Sequence, residues 1–290
     1  MAEEIIKKVK KKVKKSTKRF KNSFKKKVPV SYPIMYGELL KGKTVLITGG
    51  NSGIGYEIAK ASIRNGASVI IAGRNIKKNE KAIENLNKLI KEDQFVDSLI
   101  FDIEDVKKSI ETIEKYLEEK KYKIDVLVNN AGISNGQSIP NTSIEDYEKV
   151  LKVNLEGTYF ISQSIFKHMV QNNIQGHILN IISSSGNRPA VTPYNVSKWG
   201  QKGLTLGMAK KYIQEGIVVN GLAPGPTATG ILEVDTEKDG IDLVKNPLKR
   251  YAMPEEIANM AVIMCSDLGN TIIGDTLFMT GGAAVVTFDD

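Results

Sequence analysis

Residues 44–55 read Thr44-Val45-Leu46-Ile47-Thr48-Gly49-Gly50-Asn51-Ser52-Gly53-Ile54-Gly55, and they settle the architecture of the 290-residue chain. The run Thr44–Ile47 reads as a strand buried on both faces, and the glycine-rich turn after it opens a helical pattern. Glycines at 49, 53 and 55 let the backbone turn tightly and approach a pyrophosphate on the helix N-terminus, where free amides and the helix dipole favour anions. A Gly-x-Gly alone also fits an ordinary tight turn. Strand, turn and helix in register mark a dinucleotide fingerprint.

Outward from that turn, strand-like apolar runs recur at 68–72, 98–101, 125–128, 177–182, 217–219 and 276–279, with helix-length amphipathic stretches between them. This alternation predicts a parallel sheet wound by right-handed crossovers, a single doubly wound Rossmann-type α/β domain. The composition, 41% hydrophobic and 26% charged, suits a protein with a full core. The single cysteine, Cys265, excludes an intramolecular disulfide and reads as a buried, inert thiol. With only His168 and His177 beside it, no metal-ligand cluster is expected, and both histidines read as structural. No stretch approaches a membrane span or a secretory signal, so the expected location is cytoplasmic.

Charge divides the chain. Residues 1–27 hold 13 Lys or Arg against Glu3 and Glu4, a local charge of +11, which leaves −3 for the remainder of a chain whose total is +8. Ile6, Val9, Val13, Phe20 and Phe24 recur among the lysines at helical spacings, giving a basic amphipathic extension. Pro29 and Pro33 break the pattern, so residues 28–39 are read as a linker and 40–290 as the Rossmann-type domain.

About 140 residues past the glycine turn stands Tyr194-Asn195-Val196-Ser197-Lys198. Positions i and i+4 share a helix face, so the Lys198 ammonium can sit beside the Tyr194 phenol and lower its pKa from the usual value of about 10. With these motifs in one order, the chain resembles the short-chain dehydrogenase/reductase family over roughly residues 40–282. Thr48–Gly55 matches the family's cofactor turn, and Asn129-Asn130-Ala131-Gly132 matches its segment after the fourth strand. Asn154, Ser183, Tyr194, Lys198 and Pro224-Gly225 complete the pattern.

The resemblance implies hydride transfer between a nicotinamide cofactor and a ketone or secondary alcohol. Tyr194 would protonate the carbonyl oxygen, Ser183 would hold that oxygen, Lys198 would depress the Tyr194 pKa and hold the ribose hydroxyls, and Asn154 would anchor a water leading from Lys198 to solvent. The spacing from Ser183 to Tyr194 is about two residues shorter than in many members, and Ser184 is the alternative serine. The implied cofactor contacts are Thr48, Gly49, Asn51, Ser52, Gly53, Ile54 and Gly55 in the turn, Asn130, Ala131 and Gly132, then Pro224, Gly225, Thr227 and Thr229, with Tyr194 and Lys198 themselves. After the second strand, Arg74-Asn75 stands without a carboxylate, so Arg74, helped by Lys77 and Lys78, selects NADP over NAD; stacking of Arg74 on adenine is the competing role. Asp102-Ile103 resembles the adenine-contacting pair, with a helix N-cap as the other role for Asp102. Residues 229–251 resemble the mobile lid of relatives, and Trp199 reads as a packing residue on a helix that relatives bury between subunits of a homodimer or homotetramer.

The alternative function is a cofactor-binding scaffold whose main task is association with an anionic membrane or polyanion through residues 1–27; specific nucleic-acid binding has little support, since few aromatics interleave the lysines. Each Lys or Arg near an anionic bilayer contributes about 1 kcal/mol. Deleting residues 1–27 is expected to preserve turnover and abolish co-sedimentation with anionic liposomes; full-length protein that ignores such liposomes at low salt rules out peripheral membrane attachment.

Overall fold

A computed structural model describes residues 37–229 and 240–283. The amphipathic extension at 1–27, linker residues 28–36 and lid residues 230–239 lie outside the described residues.

Seven strands, β1 (Thr44–Thr48), β2 (Ser68–Gly73), β3 (Val96–Ile100), β4 (Val126–Asn129), β5 (His177–Ile181), β6 (Val218–Pro224) and β7 (Thr276–Met279), form one all-parallel sheet in the order β3-β2-β1-β4-β5-β6-β7. Among the described residues the α-helices are α1 (Gly53–Arg64), α2 (Ile76–Asn87), α3 (Val106–Lys120), α4 (Ile144–Leu151), α5 (Gly157–Gln171), α6 (Pro193–Tyr212) and α7 (Pro254–Cys265). Side chains alternate across each strand. Val45 and Ile47 therefore join Val69, Ile71, Val126 and Val128 in one core under α1 and α7, while Leu46, Ile70 and Leu127 enter a second core beside Ile113, Ile161, Ile165 and Met208. Strand order reverses between β1 and β4, and that reversal opens a crevice at the carboxyl ends of the strands.

Two strands depart from their sequence spans for identifiable reasons. Edge strand β3 starts earlier than expected because Val96-Asp97-Ser98 looks polar, yet Asp97 is satisfied by the Tyr116 hydroxyl at 2.8 Å. Strand β6 runs on through Asn220, Gly221, Ala223 and Pro224, all poor strand formers, because it lies buried between β5 and β7. The Asn220 amide finds its partners in Ile272 O and Asp275 N.

Helix starts set the site. Asn75 caps α2 by accepting from Lys78 N at 2.9 Å, and Asp105 caps α3 by accepting from Lys108 N at 3.1 Å. The α3 cap is thus Asp105 and not Asp102, whose carboxylate turns back to Glu104 N. Thr192 caps α6 with Asn195 N, and Pro193, whose fixed φ suits a first helical position, follows it. Tyr194 consequently sits in the first turn of α6 and Lys198 one turn later.

A buried polar ladder ties β4 and β5 to the helices behind them. Asn129 donates to Ser162 Oγ and to Asn180 Oδ1, and Asn180 donates to Thr205 Oγ1, each at 2.8 Å. Each such bond contributes about 1 kcal/mol, but an orphaned member costs about 1–3, so the ladder fixes register more than it adds stability. Cys265 is buried, and its surroundings push the thiol up to about 12. His168 accepts from Ile124 N at 3.2 Å, and burial pushes His177 down to about 4, so both are neutral structural side chains near pH 7.

Candidate functional site

The crevice is a cavity of about 1000 Å³ that takes in the glycine turn at one end and Ser183, Tyr194 and Lys198 at the other. Gly49 and Gly53 adopt φ values of +65° and +54°, which L side chains rarely tolerate, and these reverse the chain into α1. The N-terminus of α1 has no side-chain cap and no acidic residue in its first turn. Its free amides face the cavity wall formed by Ser52, Gly53 and Ile54, so the residues present fit a pyrophosphate. Thr48 and Gly55 stand behind that wall: Thr48 Oγ1 accepts from Asn130 N and Ala131 N, each at 3.1 Å, and the Asn130 amide donates back to Thr48 O and Gly49 O. Gly55 allows α1 to pack closely against this latch.

Arg74, Asn75, Lys78, Asp102 and Ile103 line the cavity beyond the turn, and no carboxylate ends β2. Arg74 Nη1 lies 3.4 Å from Asp102 Oδ2 across an exposed gap. Asn75 spends its side-chain oxygen on the α2 cap, while Asn51 is drawn to Asn79 at 2.6 Å. Ala131, Gly132, Pro224, Gly225, Thr227 and Thr229 line the cavity as well. Thr229 lies over Gly53, with its methyl 3.6 Å from where a Cβ there would stand, and Thr227 Oγ1 donates to Gly225 O. In the segment 240–251, Leu243 and Tyr251 also line the cavity; an isolated antiparallel bridge pairs Asp242 with Arg250, and Arg250 grips Glu256 at the start of α7 through two bonds of 2.7 and 2.8 Å.

At the chemical end, Ser183 follows β5, its Oγ accepts from Ser185 N at 3.1 Å, and its hydroxyl stands beside the Tyr194 phenol. Ser184 is buried. Burial raises the Tyr194 pKa, and the Ser183 hydroxyl only partly opposes the rise. The expectation that Lys198 holds the phenol below its ordinary range is therefore corrected. Lys198 is 3% exposed, its Nζ lies 5.5 Å from the Tyr194 ring centre, and burial pushes its own pKa down to about 7. The ammonium points instead at Ile181 O, 3.0 Å away, and Gln201 Oε1, 2.8 Å away.

Gln201 escaped the sequence reading. It is fully buried, and its Nε2 donates to Asn154 O at 2.7 Å and Thr158 Oγ1 at 2.8 Å. Asn154 O also accepts from Thr158 Oγ1 at 2.7 Å. Asn154 sits in a single π-helical turn, Lys152–Glu156, between α4 and α5. Its amide pairs with both backbone groups of Ile133 and donates to Ser197 Oγ, which in turn donates to Tyr194 O. Asn154 thereby braces the first turn of α6. The one available signal for Gln201 was its place three residues after Lys198, on the same helix face. Trp199 is not packed away: its indole is 43% exposed and donates to Arg188 O at 2.7 Å.

The short chain dehydrogenase family matches residues 43–240. The 3-oxoacyl-(acyl-carrier-protein) reductase of Rickettsia conorii is 34% identical over 252 residues, covering 85% of this chain and 99% of the relative. Gluconate 5-dehydrogenase of Gluconobacter oxydans is 32% identical over 251 residues, covering 85% and 96%. The solved structure of a gluconate 5-dehydrogenase from Burkholderia cenocepacia, in complex with NADP and tartrate, matches with a TM-score of 0.77 at 29% identity, covering 87% of this chain and 99% of that one.

Replacing Gln201 by Leu removes an acceptor from a buried cation, so Lys198 should surrender its proton more readily. With about 1.5–3 kcal/mol for a hydrogen bond to a charged group, the alkaline limb of the activity profile is expected to move roughly 1–2 units toward lower pH. An unshifted limb in a folded Gln201→Leu protein would show that the amide only fills space.

Proposed function

The chain belongs to the short chain dehydrogenase family of NAD(P)-dependent oxidoreductases, and from that premise we propose that it transfers hydride between NADP(H) and a ketone or secondary alcohol, using Tyr194, Ser183, Lys198 and Asn154. The observation that carries the reading is the shared cavity: a phenol beside a serine and backed by a buried lysine, continuous with an uncapped helix N-terminus behind a glycine turn. Bound NADP(H) supplies the hydride chemistry. Everything else falls to side chains.

Tyr194 enters the reduction protonated, because burial holds its pKa up, and it gives its proton to the substrate oxygen as that oxygen gains charge. Ser183 donates a second hydrogen bond to the same oxygen. The tyrosinate left behind is stabilised by the Lys198 cation, whose burial makes it ready to release a proton near neutral pH. In the oxidative direction the same groups run in reverse, with Tyr194 as base. Gly49–Ile54 and Thr229 would hold the pyrophosphate, Lys198 the ribose hydroxyls, and Asp102-Ile103 the adenine.

Arg74 and Lys78, with no carboxylate at the end of β2, support NADP over NAD, and solved relatives in complex with NADP support it further. Exposed Tyr159 and Phe160 on α5 and Trp199 and Leu206 on α6 support assembly into a homodimer or homotetramer. Among the described residues no helix is long and apolar enough to cross a membrane.

Tyr194→Phe is expected to abolish ketone-dependent NADPH oxidation while leaving NADPH affinity nearly unchanged in a fluorescence titration; near wild-type turnover would sink the mechanism. Arg74→Ala should weaken NADPH by roughly 1.5–3 kcal/mol and leave NADH little changed. Equal losses for the two cofactors would assign Arg74 to adenine instead of the 2′-phosphate.

A further inference from the structure

Arg188 stands in the loop between β5 and α6, beside the reacting groups, and the chemistry proposed above does not use it. It lines the same cavity as Ser183 and Tyr194. Its Nε is buried and has no hydrogen-bond partner. Among the described residues the arginines in ion pairs are Arg74 and Arg250, and no carboxylate reaches Arg188. The cavity's charges are also divided. Asp102 is the one carboxylate among its described lining residues, and it sits with Arg74 at the glycine-turn side, whereas Arg188 and Lys198 leave the chemical end cationic.

The loop that carries Arg188 is held in place from α6. Trp199 Nε1 donates to Arg188 O at 2.7 Å, Lys202 Nζ donates to Asn187 Oδ1 at 3.1 Å, and Ile139 N donates to Val191 O at 3.1 Å on the far side. A guanidinium presented from a braced backbone into the cavity, with no carboxylate partner among the described residues, is arranged to receive an anion. The planar edge formed by the two terminal nitrogens, Nη1 and Nη2, matches the two oxygens of a carboxylate, which accept in parallel.

We propose that the substrate is a keto acid or hydroxy acid whose carboxylate pairs with Arg188 while its carbonyl or carbinol oxygen meets Tyr194 and Ser183. The inference rests on the oxidoreductase reading of the site. It makes Arg188 the residue that selects acids over neutral ketones.

The test uses full-length protein saturated with NADPH and the isomeric oxopentanoic acids, which vary the distance from carbonyl to carboxylate, each against its methyl ester. Wild type should reduce at least one acid with kcat/KM about tenfold above its ester, the equivalent of one charged hydrogen bond. In Arg188→Met that acid-to-ester ratio should collapse by about tenfold, mainly through KM, with Arg188→Lys recovering part of it. Unaltered NADPH affinity in both variants reports a sound fold. A parallel calorimetric titration of the acids into the NADP-loaded protein reads binding without turnover, and Arg188→Met should weaken it by a similar factor. Esters reduced as well as acids, with no Arg188-dependent binding of any acid, overturn the carboxylate assignment and leave the oxidoreductase reading standing. Acids that bind through Arg188 in a protein that reduces no ketone overturn the oxidoreductase reading and leave the anion site.

Discussion

Thr48 and Asn130 hold two strand ends together, and the crevice exists because of that latch. In a parallel sheet, β1 and β4 diverge where their helices leave on opposite faces. Two backbone amides from the β4 exit close on Thr48 Oγ1, and the Asn130 amide returns two bonds to the carbonyls of the glycine turn. The turn is therefore tied to the neighbouring strand as well as to its own. Its positive-φ glycines can then be held in one conformation without a side-chain cap on α1, so the helix amides stay available to a ligand.

At the other end the governing fact is a lysine taken out of water. An ammonium in such a place is stable only if its protons find acceptors, and Ile181 O and Gln201 Oε1 provide them. The cost appears as a pKa lowered to about 7 against an ordinary 10.5. The sign follows from the direction of the shift. The folded state favours the neutral amine, so this group destabilises the fold below pH 7, and the penalty fades as pH rises from 7 toward 10.5. Tyr194 also resists ionisation, so the pair favours the state with fewer charges until a negative charge develops nearby.

Much of this was legible in the sequence, and the rest was hidden for physical reasons. Continuous apolar runs announced buried parallel strands, and the glycine turn announced the crevice, because both signals are local. β3 and β6 were misjudged at their ends, since Asp97 and Asn220 look unsuited to strands until Tyr116, Ile272 and Asp275 are seen to satisfy them. Asp105 displaced Asp102 as the α3 cap because two aspartates three residues apart offer the same chemistry to a helix start. Gln201 was missed for a different reason. A glutamine on a helix reads as solvated, and its three partners come from α6 itself, the π-helical turn and α5. Likewise, the direction of the Tyr194 shift depends on how much water surrounds the ring, which no spacing rule records.

The Arg250–Glu256 pair, which joins the described end of the lid segment to α7, has one more consequence. The two bonds from Arg250, followed by one from Met253 N, hold the Glu256 carboxyl down to about 2, so acid strong enough to protonate most carboxylates leaves this fastening ionised. Yet both side chains are partly exposed, and ions at 0.1 M screen exposed charges over about 10 Å. The grip at the edge of the cavity is thus indifferent to acidity and responsive to salt, which makes ionic strength the solvent variable to which this corner of the molecule answers.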